Sequence, residues 1–77
     1  MYRVEALEDS RWRPIARGLF RTRIRALTNA LCRTASEGQS HRVVDLDMQT
    51  ITDLIPPDSL AVRQLDETAN HHKGGTS

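Results

Sequence analysis

The sequence has few of the residues that cross-link or fill a small fold: one cysteine, three prolines and three aromatic side chains. A single cysteine cannot form a disulfide within the chain, which excludes the framework of small secreted proteins. There is no run of about 18 apolar residues, and the amino-terminal residues lack the apolar core of a signal peptide. We therefore expect a soluble, cytoplasmic protein that does not use a membrane as a partner.

Residues that carry catalysis or hold cofactors are also sparse. Cys32 has no motif around it, so a packing role is expected rather than a nucleophilic one. The four glycines are too scattered for a phosphate-binding loop. A zinc site built from Cys32, His41, His71 and His72 is not expected, because adjacent histidines in a polar tail lack the spacing of zinc ligands. The sequence predicts no enzyme, no cofactor and no metal site.

The length of 77 residues, of which 38% are hydrophobic, leaves room for one small domain. We expect that domain to span 1–66 and a disordered polar tail to occupy 67–77. A domain of this size buries only about 60% of the surface that its unfolded chain exposes. Contact with a partner or with a second copy would therefore add materially to its stability.

Two extended segments open the chain. Residues 2–7 alternate apolar and charged side chains, as in a half-buried strand, and 11–17 resume an extended pattern after a turn. Pro14 has no N–H to donate, so the second strand is expected at a sheet edge, ending at Gly18. Trp12 is expected in the core, since the chain has few other large residues to fill it.

The middle of the chain has the periodicity of a helix. Apolar residues at i, i+4, i+7 and i+11 form one helical stripe, which consists of Phe20, Ile24, Leu27 and Leu31. We predict a helix over 21–36 with this stripe facing the sheet. Thr22 is a suitable N-cap, and Gly38 is the glycine expected just after a helix C-terminus.

The remaining elements are a third strand over 41–46, with Val44 and Leu46 facing inward, and a fourth over 51–55. Two prolines end the fourth strand. A short helix over 59–65, capped by Asp58 or Ser59, is the least regular prediction, because its few apolar residues form no clean stripe.

Together these elements predict a two-layer ββαβ(β) domain of the α+β class. A right-handed crossover places the third strand beside the first, giving an antiparallel sheet of order 2-1-3-4 with one helix packed on one face. The opposite face is then open, and on this register it displays Arg3, Glu5, Arg11, Arg13, Ile15, Arg17, Val43 and Asp45. It carries no aromatic side chain, which argues against a stacking platform for single-stranded RNA.

Charge is unevenly distributed along the chain. Residues 1–42 hold nine arginines against four acids, a net charge of +5, whereas 43–77 have a net charge of −4. Ten of the eleven basic residues are arginine, which suits forked recognition of anions and is equally explained by a GC-rich genome. The whole chain carries only +1, which gives it no strong general affinity for nucleic acid.

Three arginines conflict with the helix that is predicted to contain them. Arg21, Arg23 and Arg25 lie at its start, where the helix dipole disfavours positive charge. A docked anion would remove this conflict, and so would long side chains that reach into screened water. The candidate binding residues are Arg11, Arg13, Arg17, Arg21, Arg23 and Arg25.

The sequence thus predicts a non-catalytic protein-interaction module, regulatory or inhibitory in role. Its arginine-rich face would dock on an acidic protein partner or on a second copy of the chain. The alternative is a nucleic-acid-binding accessory protein that contacts phosphates with the same arginines. Salt dependence separates the two, because phosphate binding weakens steeply as salt rises.

Overall fold

The structure, a computed structural model, describes residues 1–65. The predicted tail over 67–77 lies outside the described residues. Residues 60–65 are helical and are called the 60–65 helix below. The other elements are β1 (Tyr2–Glu8), β2 (Arg11–Phe20), α1 (Arg23–Glu37), β3 (His41–Asp45) and β4 (Thr50–Ile55).

The four strands form one antiparallel sheet in the order β2-β1-β3-β4, with α1 packed on one face. This confirms the α+β class, the strand order and the layering predicted from the sequence. Asp9 and Ser10, both with positive φ of 50° and 65°, join β1 to β2. A two-residue turn of this hand matches the twist of the strands that it connects.

A wide bulge interrupts β2. Arg3 pairs with Leu19 and Glu5 pairs with Pro14, so a single residue of β1 faces the four residues 15–18 of β2. The extra residues turn the strand locally outward and leave part of its edge without regular pairing. Because β2 is the first strand in the order of the sheet, Pro14 lies at a sheet edge, as predicted.

Gly18 lies inside this bulge, and β2 continues past it to Phe20 rather than ending there. A Cβ at Gly18 would lie 2.5 Å from Cγ1 of Ile15 and 3.0 Å from the carbonyl oxygen of Val4. The close approach of the two backbones therefore requires a residue without a side chain at this position.

Both predicted caps of α1 are confirmed. The Oγ1 atom of Thr22 accepts a hydrogen bond from the backbone N–H of Arg25 at 3.3 Å. Gly38 adopts a left-handed conformation with φ of 72°, and its N–H donates to the carbonyl oxygen of Thr34 at 3.0 Å. The boundaries of the helix therefore follow from local capping chemistry.

The face that α1 turns to the sheet differs from the prediction. The buried helix residues are Ala26, Ala30 and Thr34, whereas Ile24 is 66% exposed. At 100° per residue the buried stripe is rotated by roughly a quarter turn from the predicted one. Small side chains face the sheet because they allow the helix axis to approach it closely.

The larger helix residues pack beside this contact. Leu31 and Cys32 line a groove between α1 and the 60–65 helix, and Val62 of that helix is 5% exposed and belongs to the core. Ser59 caps the 60–65 helix by accepting a hydrogen bond from the N–H of Val62. Leu31 of the predicted stripe therefore packs against the core on one side and lines the groove with the 60–65 helix on the other.

The inward residues of β3 also differ from the prediction. His41 and Val43 are fully buried and face the helices, whereas the expected inward residue Val44 faces the other side of the sheet. The Nδ1 atom of His41 lies 2.9 Å from Oγ1 of Thr34 and 3.0 Å from the carbonyl oxygen of Gln39. These contacts offset only part of the cost of burying the imidazole, because its buried Nε2 makes no hydrogen bond within the described residues.

Candidate protein-interaction surface

The sheet face that points away from the helices, called the open face below, carries a mixture of arginine and apolar side chains. Its members follow from the strand pairing and are Arg3, Glu5, Leu7, Trp12, Leu19, Arg42, Val44, Ile51 and Leu54. The predicted members Arg3 and Glu5 are confirmed. Val43 is not, because it belongs to the core, and Ile15 is partly buried against that core. Arg13 and Asp45 pair with Ala6 and Tyr2 on the helix side of the sheet, and Arg11 lies on the same side as Arg13, so these three predicted members are wrong.

A buried carboxylate lies at the centre of the open face. Glu5 is only 4% exposed, and its Oε2 accepts hydrogen bonds from Nε of Arg3 at 2.9 Å. Its Oε1 accepts from Nε of Arg42 at 2.7 Å, so both carboxylate oxygens are used. Two guanidinium groups around one carboxylate leave a local charge of +1 and hold both arginines in place.

The prediction that Trp12 belongs to the core is wrong. Trp12 pairs with Leu7 on the open face, and the guanidinium carbon of Arg42 lies 4.4 Å from the ring centroid. This is a cation–π contact to a ring that is half-buried. In the core, His41 is the largest fully buried side chain.

A shallow groove of about 500 Å³ runs along the bulge of β2. Arg3 and Arg17 line it, and Arg17 has a left-handed backbone with φ of 58°. Among the described residues, none of those lining the groove is acidic; the others are Pro14, Ile15, Gly18, Leu19 and Leu46. The groove thus combines two arginines with apolar lining residues, and we call it the Arg3–Arg17 groove.

Large apolar side chains are exposed on the open face on both sides of Glu5. Leu19 on β2 is 57% exposed, and Ile51 and Leu54 on β4 are 56% and 62% exposed. Singly exposed apolar residues are ordinary, but several on one sheet face mark a surface suited to contact with another protein.

The other predicted arginines do not form a single patch. Arg11 and Arg13 are exposed near the β1–β2 turn, whereas Arg21 and Arg25 are exposed at the start of α1. Glu8 pairs with Arg11 at one end of β1 and Tyr2 pairs with Phe20 at the other. The six residue steps between these pairs place the two arginine groups about 20 Å apart.

Arg23 is occupied within the fold. Its Nε donates to Oδ2 of Asp53 at 2.9 Å and its Nη2 donates to Oδ1 at 2.6 Å. Burial disfavours the charged form of Asp53, but hydrogen bonds from Arg23 and Thr52 and the charge of Arg23 outweigh it, so the pKa of this carboxyl lies below its ordinary value. Arg23 therefore ties α1 to β4.

Arg21 and Arg25 remain together at the start of α1, where they line another groove, of about 520 Å³. The first turn of the helix contains no acidic residue, so the conflict with the helix dipole persists in the folded protein.

Sequence reasoning missed Arg42 and assigned Trp12 to the wrong face. The alternation of residues 2–7 already placed Arg3 and Glu5 on one face of the sheet. Arg42 joins them only through the register that pairs it with Glu5 across 37 positions of sequence.

No three histidine, cysteine, aspartate or glutamate side chains within residues 1–65 are grouped so that they could hold a metal ion. Across the same residues, no helix has both the length and the apolar character needed to cross a membrane. Two histidines of the zinc site considered above, His71 and His72, lie outside the described residues. Comparison of the chain with family models, curated proteins and solved structures gives no match.

Proposed function

We propose that this protein is a non-catalytic interaction module, regulatory or inhibitory in role, that docks an acidic protein partner on the open face of its sheet. The observation that carries the proposal is the Arg3–Arg17 groove, which two arginines line together with Leu19 and Leu46. A cytoplasmic location belongs to the same proposal, because a single cysteine suits a reducing compartment.

The chemistry of the groove favours a peptide segment with an acidic residue next to an apolar one. Glu5 already fixes the guanidinium of Arg3 through Nε and Nη2, so the remaining N–H groups of this guanidinium lose little conformational entropy when they bind a carboxylate. The exposed Leu19 supplies apolar area for the neighbouring side chain.

The remaining exposed arginines act at longer range in this proposal. Arg11, Arg13, Arg21 and Arg25 surround the sheet without an ion-pair partner within residues 1–65, and their field would steer an acidic partner toward it. Arg23 contributes to stability instead, because Asp53 holds it.

The test compares two charge reversals at exposed arginines. Arg17→Glu alters the Arg3–Arg17 groove, and Arg63→Glu is the matched control on the 60–65 helix, on the other side of the sheet. Tagged forms of the wild type and both variants are used for quantitative capture from lysate of the source cells, followed by titration of the purified partner.

We expect an acidic protein that the wild type and the Arg63→Glu variant bind equally and that the Arg17→Glu variant binds at least about tenfold more weakly. A partner that binds all three forms with the same affinity would contradict docking at this groove. A basic partner would contradict the chemistry assigned to it.

One observation favours nucleic acid as a second candidate: Trp12 lies on the open face beside Arg42. Fluorescence anisotropy with labelled duplex DNA and single-stranded RNA over a salt series tests it. Binding through phosphates should weaken with salt with a log–log slope of about −0.9 per duplex phosphate contacted. A base stacked on Trp12 requires that the Trp12→Ala variant bind single-stranded RNA more weakly than the wild type.

A further inference from the structure

The two edges of the sheet differ in their capacity to accept another strand. The β2 edge contains Pro14 and several arginines, which obstruct edge-to-edge pairing. The β4 edge, Thr50–Ile55, has no proline and one charged residue, Asp53. Since Arg23 holds that carboxylate on the helix side, β4 presents no unpaired charge within the described residues.

An irregularity in β4 puts two large apolar residues on the same face. Val44 pairs with Ile51 and Val43 pairs with Asp53, so Thr52 is an extra residue in the strand. Ile51 and Leu54 therefore both lie on the open face, although three positions separate them. Both are more than half exposed.

We propose that a second copy of this chain pairs with β4 in antiparallel orientation, joining two four-stranded sheets into one of eight strands. A twofold axis between Thr52 and Asp53 places Ile51 opposite Leu54 of the second copy, and this contact occurs twice. In a regular strand residues three apart lie on opposite faces, and this pairing would be excluded. The extra Thr52 makes it compatible with the faces.

The pairing would cover surface that the monomer leaves exposed. Four apolar side chains, Ile51 and Leu54 from each copy, would form a continuous strip at the centre of the joined sheet. Within residues 1–65, the backbone of 50–54 makes no hydrogen bond to backbone atoms outside the sheet. The 60–65 helix and α1 line a common groove. One short strand per copy is a small interface, so association in the micromolar range is expected.

Register-specific cross-linking tests the arrangement. In a Cys32→Ser background, Ile51→Cys and Leu54→Cys proteins are prepared separately, checked for cooperative thermal unfolding, and oxidised alone or mixed. Because each position lies opposite the other, the mixture should form a disulfide-linked heterodimer at least about fivefold faster than either protein forms a homodimer. Equal rates in all three samples, or no cross-link, would overturn the proposed pairing.

Sedimentation velocity over a micromolar concentration series gives a second measurement. Ile51→Lys places charges at the proposed contact, and Leu19→Lys is the matched control, since it alters an equally exposed open-face residue on the distant β2 edge. We expect self-association in the wild type and the control and its loss in the Ile51→Lys variant. A monomeric wild type would overturn this inference and leave the proposed function intact, because that function depends on the Arg3–Arg17 groove.

Discussion

The guanidinium group of Arg42 lies over the indole ring of Trp12, with its central carbon 4.4 Å from the ring centroid. The two residues belong to β3 and β2, so the contact crosses over β1 on the open face. Glu5 of β1 accepts a hydrogen bond from the same arginine, which places one guanidinium between a carboxylate and a ring. This contact ties three strands together on the side of the sheet that the helices do not cover.

Replacement of Trp12 should therefore cost less than the loss of a core tryptophan. We expect Trp12→Ala to lower the free energy of unfolding by about 1–2 kcal/mol, from the cation–π contact and partial burial, rather than the 3–5 kcal/mol typical of a core position. Urea denaturation followed by circular dichroism measures it. The Trp12→Phe control should lose less, and a loss above about 3 kcal/mol for Trp12→Ala would contradict the open-face position.

The rotation of α1 predicts a contrast between two helix positions. Ile24→Ala should change the free energy of unfolding by less than about 0.5 kcal/mol, because Ile24 is 66% exposed. Ala30→Leu should destabilise by about 1–3 kcal/mol or more, since Ala30 is fully buried against the sheet. Thermal unfolding of the two variants gives the comparison. The reverse order of stabilities would restore the stripe predicted from the sequence.

Arg25 occupies the third helical position after the N-cap Thr22, where a capping box has glutamate. Arg25→Glu should therefore raise the free energy of unfolding by roughly 0.5–1 kcal/mol, through the capping interaction and a favourable charge near the helix start. Calorimetric Tm values at low salt measure this effect. Arg25→Gln, which removes the positive charge and supplies an amide oxygen for the capping interaction without a negative charge, should give a smaller gain. A lowered Tm in the glutamate variant would contradict the argument.

The ion pair between Arg23 and Asp53 predicts a specific dependence of stability on pH. The pKa of Asp53 in the folded protein lies below its ordinary value of 3.8. Its contribution to stability is therefore fully present above that ordinary value and is lost as the pH falls through the lower, folded-state pKa. Urea unfolding between pH 2 and 7 should show a weaker loss of stability in acid for Asp53→Asn than for the wild type. Identical acid profiles would show that the pair contributes nothing.

The sequence was sufficient to predict those features that depend only on residues close together in the chain. Thr22 and Gly38 bound the helix because capping involves residues within one turn, and Pro14 lies at an edge because it has no N–H in any fold. The crossover rule then leaves one simple strand order, which is the one observed. Of the candidate site, this reasoning correctly placed Arg3 and Glu5 on the open face.

Which faces pack together was decided by tertiary structure. His41, Val43 and Val44 give β3 nonpolar or buriable side chains on both faces, so alternation alone does not determine which side is inward. Their sides are set by the register with β1 and by the contact of His41 with Thr34. The sequence itself determined the order of the elements and the caps of α1, because those signals are local, whereas the extension of β2 past Gly18 to Phe20 depends on its bulged pairing with β1. Only the fold brought Arg42 to Glu5 and Trp12, because a contact across 37 positions depends on strand pairing that no local pattern encodes.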